Sequence, residues 1–493
     1  MDGASARLRP LTNRAQPAPD PTEDRRAWRA GREDLREPLG PYVRALVEGG
    51  ETPTPLEVFR DKPGRRRLAR AHLPAGPGCF FKHYPASAGR GLQSLWKRGL
   101  GLSPAAREFS LLRRLHAAGV AVPEPLALYR FRAGDLVLVT RLIEGEPLRQ
   151  ALERPHRERR ALLEATGVLL ARLHAAGFCH RDLHAANVWS TSDGPVLIDL
   201  PAALPGAPRW LRRRDLGELD MSLADDLSLA DRVRLRAAAL SAQRPFSASE
   251  RAELRAVGRT SHARRQAHLR SRTRRCLRPG RLYAALQVDG ARGMRLRECD
   301  ADRVARALTT PMGDGELSAV HFATGSTWTG GWRRSPAQRA WIAGHGLRAR
   351  GIGAPRPWAF AEWHRRGRVQ RSAVLLDPTR AATPEHTGGA QAWLRAVVEL
   401  GAALRRDGVD HAGLAAAELR LDPHDALTLT GLEHIRFRRR LPEEACARID
   451  ACVAVWLAAC AAPPAERAAA LKRYVARTRF LPGPPARISR ARS

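Results

Sequence analysis

His180-Arg181-Asp182-Leu183-His184-Ala185-Ala186-Asn187, followed after a short turn by Val196-Leu197-Ile198-Asp199-Leu200, decides how this chain is read. An aspartate and an asparagine five residues apart, then an apolar strand ending in a second aspartate, gather one proton acceptor and two hard oxygen ligands. Phosphoryl transfer from a metal-bound nucleotide to a hydroxyl needs these groups. Asp182 is the expected base, and Asn187 and Asp199 the expected Mg²⁺ ligands. The whole chain contains only two asparagines, so one at this offset carries weight.

Basic residues number 84, yet the lysines are only Lys62, Lys82, Lys97 and Lys472. Where arginine has replaced lysine almost everywhere, a lysine inside Cys79-Phe80-Phe81-Lys82-His83-Tyr84, a strand-forming run, calls for a chemical reason. A compact ammonium suits the α/β-phosphates as a point charge. Ser103 and Pro104 open a helical pattern that runs to Leu115, and Glu108 falls where an ion-pair partner for Lys82 belongs. A Gly-x-Gly-x-x-Gly loop is missing. Leu56 to Ala71 reads instead as two short strands around a basic turn, with Gly64 and nearby amides expected to cover the nucleotide. ATP and Mg²⁺ are the cofactors this set requires.

From Glu57 to about Leu223 the chain resembles the bacterial lipopolysaccharide core kinases, the Kdo and heptose kinases of the protein-kinase-like superfamily. The carrying segments are Val58-Phe59-Arg60, Phe80 to Tyr84, Arg107-Glu108-Phe109, Gly119 to Pro125, His180 to Asn187, and Arg213-Arg214-Asp215-Leu216-Gly217-Glu218-Leu219. The resemblance implies an α+β, bilobal protein-kinase-like fold, a small antiparallel sheet lobe plus a helical lobe. It also implies ATP as donor and a sugar hydroxyl of a core oligosaccharide as acceptor. A protein or aminoglycoside-type kinase, or an ATP-binding scaffold without turnover, stays open as an alternative.

Net charge is +34, from 84 basic against 50 acidic residues, which suits an anionic glycolipid acceptor and peripheral contact with an anionic inner membrane surface. Aromatics at 5% and the lack of a recognised module argue against nucleic acid. No signal-peptide core opens the chain, no eighteen apolar residues run together, and seven cysteines lie scattered, so a reducing cytoplasm is expected.

Composition divides the chain into a flexible basic arm (1–45), an active kinase-like domain (46–240), a basic linker or helix (241–284), a second domain (285–480) and a basic tail (481–493). Within the kinase-like domain the small lobe spans about 53–139, a hinge 140–146, and the helical lobe about 147–240. The second domain reads as a degenerate copy. Ser335-Pro336-Ala337 through Gly351 to Pro357 mirrors Ser103-Pro104-Ala105 through Gly119 to Pro125, and Leu404, Gly408, His411 and Leu414 mirror Leu173, Gly177, His180 and Leu183. In that register Ala340 replaces Glu108, Gly413 replaces Asp182, Glu418 replaces Asn187 and Thr430 replaces Asp199.

Overall fold

Seven residues, Gly78–Tyr84, alternate buried and half-buried side chains and so form the strand on which the first half of the molecule is organised. In the computed structural model the described residues are 27–60, 66–86, 103–131, 134–242, 245–309, 317–323, 334–366, 368–383, 385–414, 419–424 and 426–478. Gly64 and Glu418 lie outside them. The fold is α+β and divides into two compact units between His262 and Ala263.

In the first unit, strands β1 (Trp28–Gly31), β2 (Glu57–Arg60), β3 (Arg67–His72), β4 (Gly78–Tyr84), β5 (Pro125–Arg130) and β6 (Leu136–Arg141) form an antiparallel sheet in the order β1-β5-β6-β4-β3-β2. Cys79, Phe81 and His83 of β4 face one way and are buried, while Phe80, Lys82 and Tyr84 face the other. The helix Arg36–Glu48 contributes Leu39, Tyr42, Val43 and Leu46 to the same cluster as Cys79 and Phe81, and the Tyr42 ring stacks at 6.1 Å from that of Phe81. The expected flexible arm therefore fails for residues 27–45. Apolar side chains at positions 39, 42, 43 and 46 make one helix face, and their burial outweighs the Pro- and Arg-rich composition around them.

On the other side of the sheet lies the helix Pro104–Ala117, started by the Ser103 hydroxyl, which accepts from the Ala106 amide at 3.1 Å. After β6 the chain becomes helical, with His156–Ala175, Arg209–Ser222, Leu229–Ala239 and the first half of Ala248–Arg274. Gly167 lets two of these helices touch, since a Cβ there would stand 2.5 Å from that of Ala238. Between the first two, Phe178–Cys179 pairs with Leu204–Pro205, and Val188–Thr191 forms a hairpin with Gly194–Leu197. The decisive sequence stretch occupies this β-rich interlude.

In the second unit five strands, Tyr283–Val288, Ala291–Leu296, Pro357–Arg365, Arg368–Leu376 and Ser318–Ala323, make an antiparallel sheet in that spatial order. The helix Pro336–Arg348 is capped by Ser335, whose hydroxyl accepts from the Gln338 amide at 3.0 Å. Helices Ala390–Arg406, Glu443–Ala458 and Pro464–Thr478 follow, packed in one apolar cluster with Trp341. Ala248–Arg274 falls in the stretch read as a basic linker or helix; it is a helix, and its second half is fastened into this unit: Arg265 donates to Asp407 at 2.8 Å, and the Thr273 hydroxyl receives Arg350 at 3.2 Å.

Backbone details recur between the units. Gly119 and Gly351 end the Ser-capped helices at φ +70° and +68°, and Gly177 and Gly408 end the long helices at +81° and +67°. The Leu197 amide donates to Ala121 at 3.0 Å, and the Leu429 amide to Gly353 at 3.1 Å. His180 Nε2 pairs with the Ile198 carbonyl at 3.1 Å, and His411 Nε2 with the Thr430 carbonyl at 2.9 Å. These contacts correct one register. Thr430 matches Ile198, so Asp199 is matched by Gly431, and both lie in the left-handed region at φ +56° and +63°. Strand pairing also supplies a position for Lys82: Lys82 lies opposite Leu138 and Val320 opposite Val374 in the corresponding pair.

Candidate active site

Alternation along β4 puts Lys82 and Tyr84 on the side of the sheet that meets the helix Pro104–Ala117. Glu108, one turn into that helix and 1% exposed, receives both of them. Lys82 Nζ donates to Oε1 at 2.6 Å, and the Tyr84 hydroxyl donates to Oε2 at 2.5 Å. Burial first, then the Glu108 carboxylate, pushes the Tyr84 phenol far above its ordinary range, so it remains a donor. A buried carboxylate with both oxygens occupied is costly to disturb; removing one partner of such a pair costs about 3–5 kcal/mol.

Asp199 approaches the Lys82 ammonium from the loop after the hairpin. Its Oδ1 lies 4.0 Å from Lys82 Nζ and 4.0 Å from the Arg66 guanidinium, and its side chain is 46% exposed. Its left-handed backbone is uncommon for a residue bearing a Cβ, and such strain gathers where side-chain direction matters.

Asn187 is buried, and its amide Nδ2 donates to the Asp182 carbonyl at 2.9 Å. Its own carbonyl accepts from the Ile198 amide at 3.0 Å, which ties the loop to the residue just before Asp199, beyond the strand Gly194–Leu197. With Nδ2 so engaged, Asn187 Oδ1 accepts no hydrogen bond among the described residues, and the exposed Asp199 carboxylate adds further hard oxygens. That donor set fits Mg²⁺. The Asp182 side chain is exposed, and the backbone contacts leave its carboxylate free to meet an acceptor hydroxyl.

Asp215, fully buried on the helix Arg209–Ser222, holds the loop from behind. It accepts from the His180 amide at 2.7 Å, the Arg181 amide at 2.8 Å and His174 Nε2 at 3.4 Å. Arg181 sits at φ +68°, so these bonds fix a strained peptide immediately before Asp182. Burial holds the His180 ring below its usual range, hence neutral, and it supports the Ile198 carbonyl from Nε2. Burial first, then Asp215, pushes the Cys179 thiol up to about 12, which leaves it an inert packing residue.

The structure thus gathers Lys82, Glu108 and Asp199 by direct approach, and Asp182, Asn187 and Asp199 through one hydrogen-bonded loop. Sequence reasoning noted Tyr84 and Asp215 as family-like letters and passed over what they do. The alternation of β4 and a buried-type aspartate in a helix rich in arginine were the available signals.

A family model described as "Lipopolysaccharide kinase (Kdo/WaaP) family" matches residues 54–239. Lipopolysaccharide core heptose(I) kinase WaaP of Pseudomonas aeruginosa is 32% identical over 203 residues, covering 36% of this chain and 74% of that protein. 3-Deoxy-D-manno-octulosonic acid kinase of Stenotrophomonas maltophilia is 33% identical over 207 residues, covering 41% of this chain and 78% of that protein. A solved structure described as WaaP in complex with acyl carrier protein aligns at 25% identity with a TM-score of 0.33, over 44% of this chain and 95% of that one. The first unit is therefore a phosphotransferase of the kinase class. More narrowly, the chain belongs to the lipopolysaccharide kinase (Kdo/WaaP) family. Among the described residues no helix is long and apolar enough to cross a membrane.

Proposed function

We propose that the first unit is a bilobal protein-kinase-like domain that transfers the γ-phosphoryl group of ATP to a sugar hydroxyl of a lipopolysaccharide core or related envelope glycolipid. The observation that carries this reading is the convergence on one cleft: Lys82 bound to buried Glu108, with Asp199 at 4.0 Å from the same ammonium. Lys82 grips the phosphates, Asn187 and Asp199 hold Mg²⁺, and Asp182 orients the acceptor hydroxyl and takes its proton. Bound Mg²⁺ would neutralise charge on the phosphates. The protein's own work is orientation: Glu108 and Tyr84 fix the lysine, and Asp215 fixes the peptide that presents Asp182. That Gly64 and nearby amides cover the nucleotide rests on sequence alone, since Gly64 lies outside the described residues.

The net charge of +34 supports an anionic glycolipid acceptor at the inner membrane surface. The second unit is read as a degenerate kinase-like copy. Supporting this are the repeated helix cap, the matched histidine and glycine contacts, and the presence of Ala340, Val320, Gly413 and Gly431 where the first unit has Glu108, Lys82, Asp182 and Asp199. Among the described residues such a unit lacks the lysine, glutamate and aspartates that would neutralise or orient a transferred phosphoryl group.

The test is incubation of radiolabelled ATP with fractionated envelope extract, beside an Asp182→Ala protein. Label entering glycolipid only with the wild type is the expected result. Label in protein or in a small aminoalcohol, with none in glycolipid, overturns the acceptor assignment, and nucleotide binding without any turnover overturns the activity.

A further inference from the structure

Resting on the kinase reading above, we propose that Arg66 grips the outer phosphates of ATP in place of the missing glycine-rich loop, with Tyr84 as the residue that positions it. Arg66 lies at the entrance to β3, in the strand pair beside β4. Its guanidinium reaches to 4.0 Å from Asp199 Oδ1, the same oxygen that Lys82 approaches at 4.0 Å. Two cations from neighbouring strands are thus directed at one point in front of the proposed metal ligand.

Neither approach is a hydrogen bond, and the Arg66 and Asp199 side chains are 44% and 46% exposed, so Arg66 is not spent on a structural ion pair. What holds it is an aromatic platform: its guanidinium carbon lies 5.3 Å from the centroid of the Tyr84 ring. The ring is fixed in turn, because the Tyr84 hydroxyl donates to Glu108 Oε2 while Lys82 donates to Oε1. One buried carboxylate therefore sets both cations, the lysine directly and the arginine through a ring.

Depth separates their tasks. Lys82 is 14% exposed and sits inside the cleft, and Arg66, at 44%, sits at its mouth. A compact ammonium inside and a planar guanidinium outside give two contact points along a polyphosphate, and the guanidinium can offer paired donors to phosphate oxygens. A glycine-rich loop does this job with backbone amides. Here a side chain takes it over, and binding then depends on the number of phosphates.

The experiment is calorimetric titration of the full chain and its variants with Mg-ATP, Mg-ADP and AMP, together with KM, kcat and melting temperature. Arg66→Ala is expected to weaken Mg-ATP binding and raise the ATP KM about tenfold or more, with AMP affinity and melting temperature unchanged and kcat less affected. Arg66→Lys should recover part of the loss. Tyr84→Phe keeps the ring but takes the hydroxyl from Glu108, so it should weaken Mg-ATP binding less than Tyr84→Leu, and the further loss from Phe to Leu, which reads the ring alone, should vanish in the Arg66→Ala background. Wild-type Mg-ATP affinity in Arg66→Ala, or an equal loss for AMP and ATP, overturns the proposal and leaves the kinase reading intact. A wild-type chain that binds no nucleotide overturns both.

Discussion

Two helices begin alike and end with different consequences. Ser103 and Ser335 cap their helices through the same hydroxyl-to-amide bond, and each helix packs under an antiparallel sheet. The first helix presents buried Glu108 to Lys82, while the second places Ala340 there, next to the fully buried Trp341. Farther on, His180 and His411 each bond a backbone carbonyl from Nε2, and burial lowers the pKa of both rings. The next position differs. Asp182 follows His180 by two residues, and Gly413 follows His411 by two. Caps, left-handed glycines and ring-to-carbonyl bonds hold the chain path in both units, whereas among the described residues Lys82, Glu108, Asp182 and Asp199 are matched by the uncharged Val320, Ala340, Gly413 and Gly431. A fold of this kind is kept by backbone-directed contacts, and its chemistry rests on a few side chains that those contacts aim.

The largest effect should come from removing Asp182, the proposed base. Asp182→Ala is expected to lower turnover by about a thousandfold while leaving Mg-ATP affinity close to wild type, because its side chain is exposed and Asn187 holds only its backbone carbonyl. Labelled phosphate transfer and calorimetry check the two halves of this statement. Adding Gly413→Asp to that protein should restore nothing, since neither Val320 nor Ala340 can replace the lysine and glutamate of the cleft. Restored turnover would break the contrast between the units.

Next in size are two buried aspartates, one in each unit. Asp215 receives two loop amides and His174, whereas Asp450 in the second unit receives the Arg405 guanidinium at 2.7 Å and the Tyr474 hydroxyl at 2.6 Å. The same kind of group serves a catalytic-type loop in one place and a helix-to-helix bond in the other. Asp215→Ala leaves buried amides unpaired, at a cost of about 3 kcal/mol, and should lower turnover as the Arg181 peptide relaxes. Asp450→Ala should cost about as much or more by taking a carboxylate from the buried Arg405 guanidinium and the Tyr474 hydroxyl, with ATP turnover unchanged. Chemical denaturation followed beside kinetics separates the two; a fall in turnover for Asp450→Ala would show that the units are coupled.

The sequence made the cleft readable because its chemistry depends on rare letters at fixed offsets: one of two asparagines, one of four lysines, and aspartates at the ends of short apolar runs. Sheet-lobe strands were readable from aromatic and β-branched runs such as Phe80 to Tyr84. Residues 27–45 were misjudged because the stretch around them is rich in Pro and Arg, although Leu39, Tyr42, Val43 and Leu46 carry a helical period. Asp215 and Tyr84 were undervalued for another reason. Their work is to hold other groups, and only a folded chain shows which groups those are. Register over the second unit slipped by one residue at Thr430 because ungapped alignment cannot see a loop one residue longer; the carbonyl bonded by His411 reveals it.

A pH response should mark the second unit. His345 packs edge-on against Trp341 at 4.2 Å and Tyr283 at 5.2 Å, and burial first, then Arg348 and Arg356, lowers it to about 3. The corresponding residue of the first unit, Arg113, is exposed. A buried histidine kept neutral stabilises the fold fully above the unfolded value near 6.5, and the contribution is lost as pH falls from there toward the folded value, since only the unfolded chain takes the proton. Lowering pH from 7 to 4.5 should therefore cost the second unit about 2 kcal/mol. Melting followed by Trp fluorescence, with His345→Leu as the variant that flattens the slope, checks it; an unchanged slope in His345→Leu would assign the pH response elsewhere.

The smallest effect on stability concerns strain at the matched left-handed positions. Asp199 at φ +56° carries a Cβ that Gly431 at +63° does not. Asp199→Gly should remove all Mg²⁺-dependent nucleotide binding and yet raise stability by up to about 1 kcal/mol, because glycine adopts this backbone without steric cost. Little is lost electrostatically: Lys82 keeps Glu108, and the 4.0 Å approaches of Lys82 and Arg66 to a half-exposed carboxylate contribute little. The reverse change, Gly431→Asp, brings a Cβ to 3.3 Å from His411 Cε1 and should cost the second unit a similar amount. Denaturation midpoints of the two single variants should move in opposite directions. If both fall, Asp199 is held by contacts stronger than its backbone strain, and the second unit's glycine marks something other than relief from the demand of holding a metal.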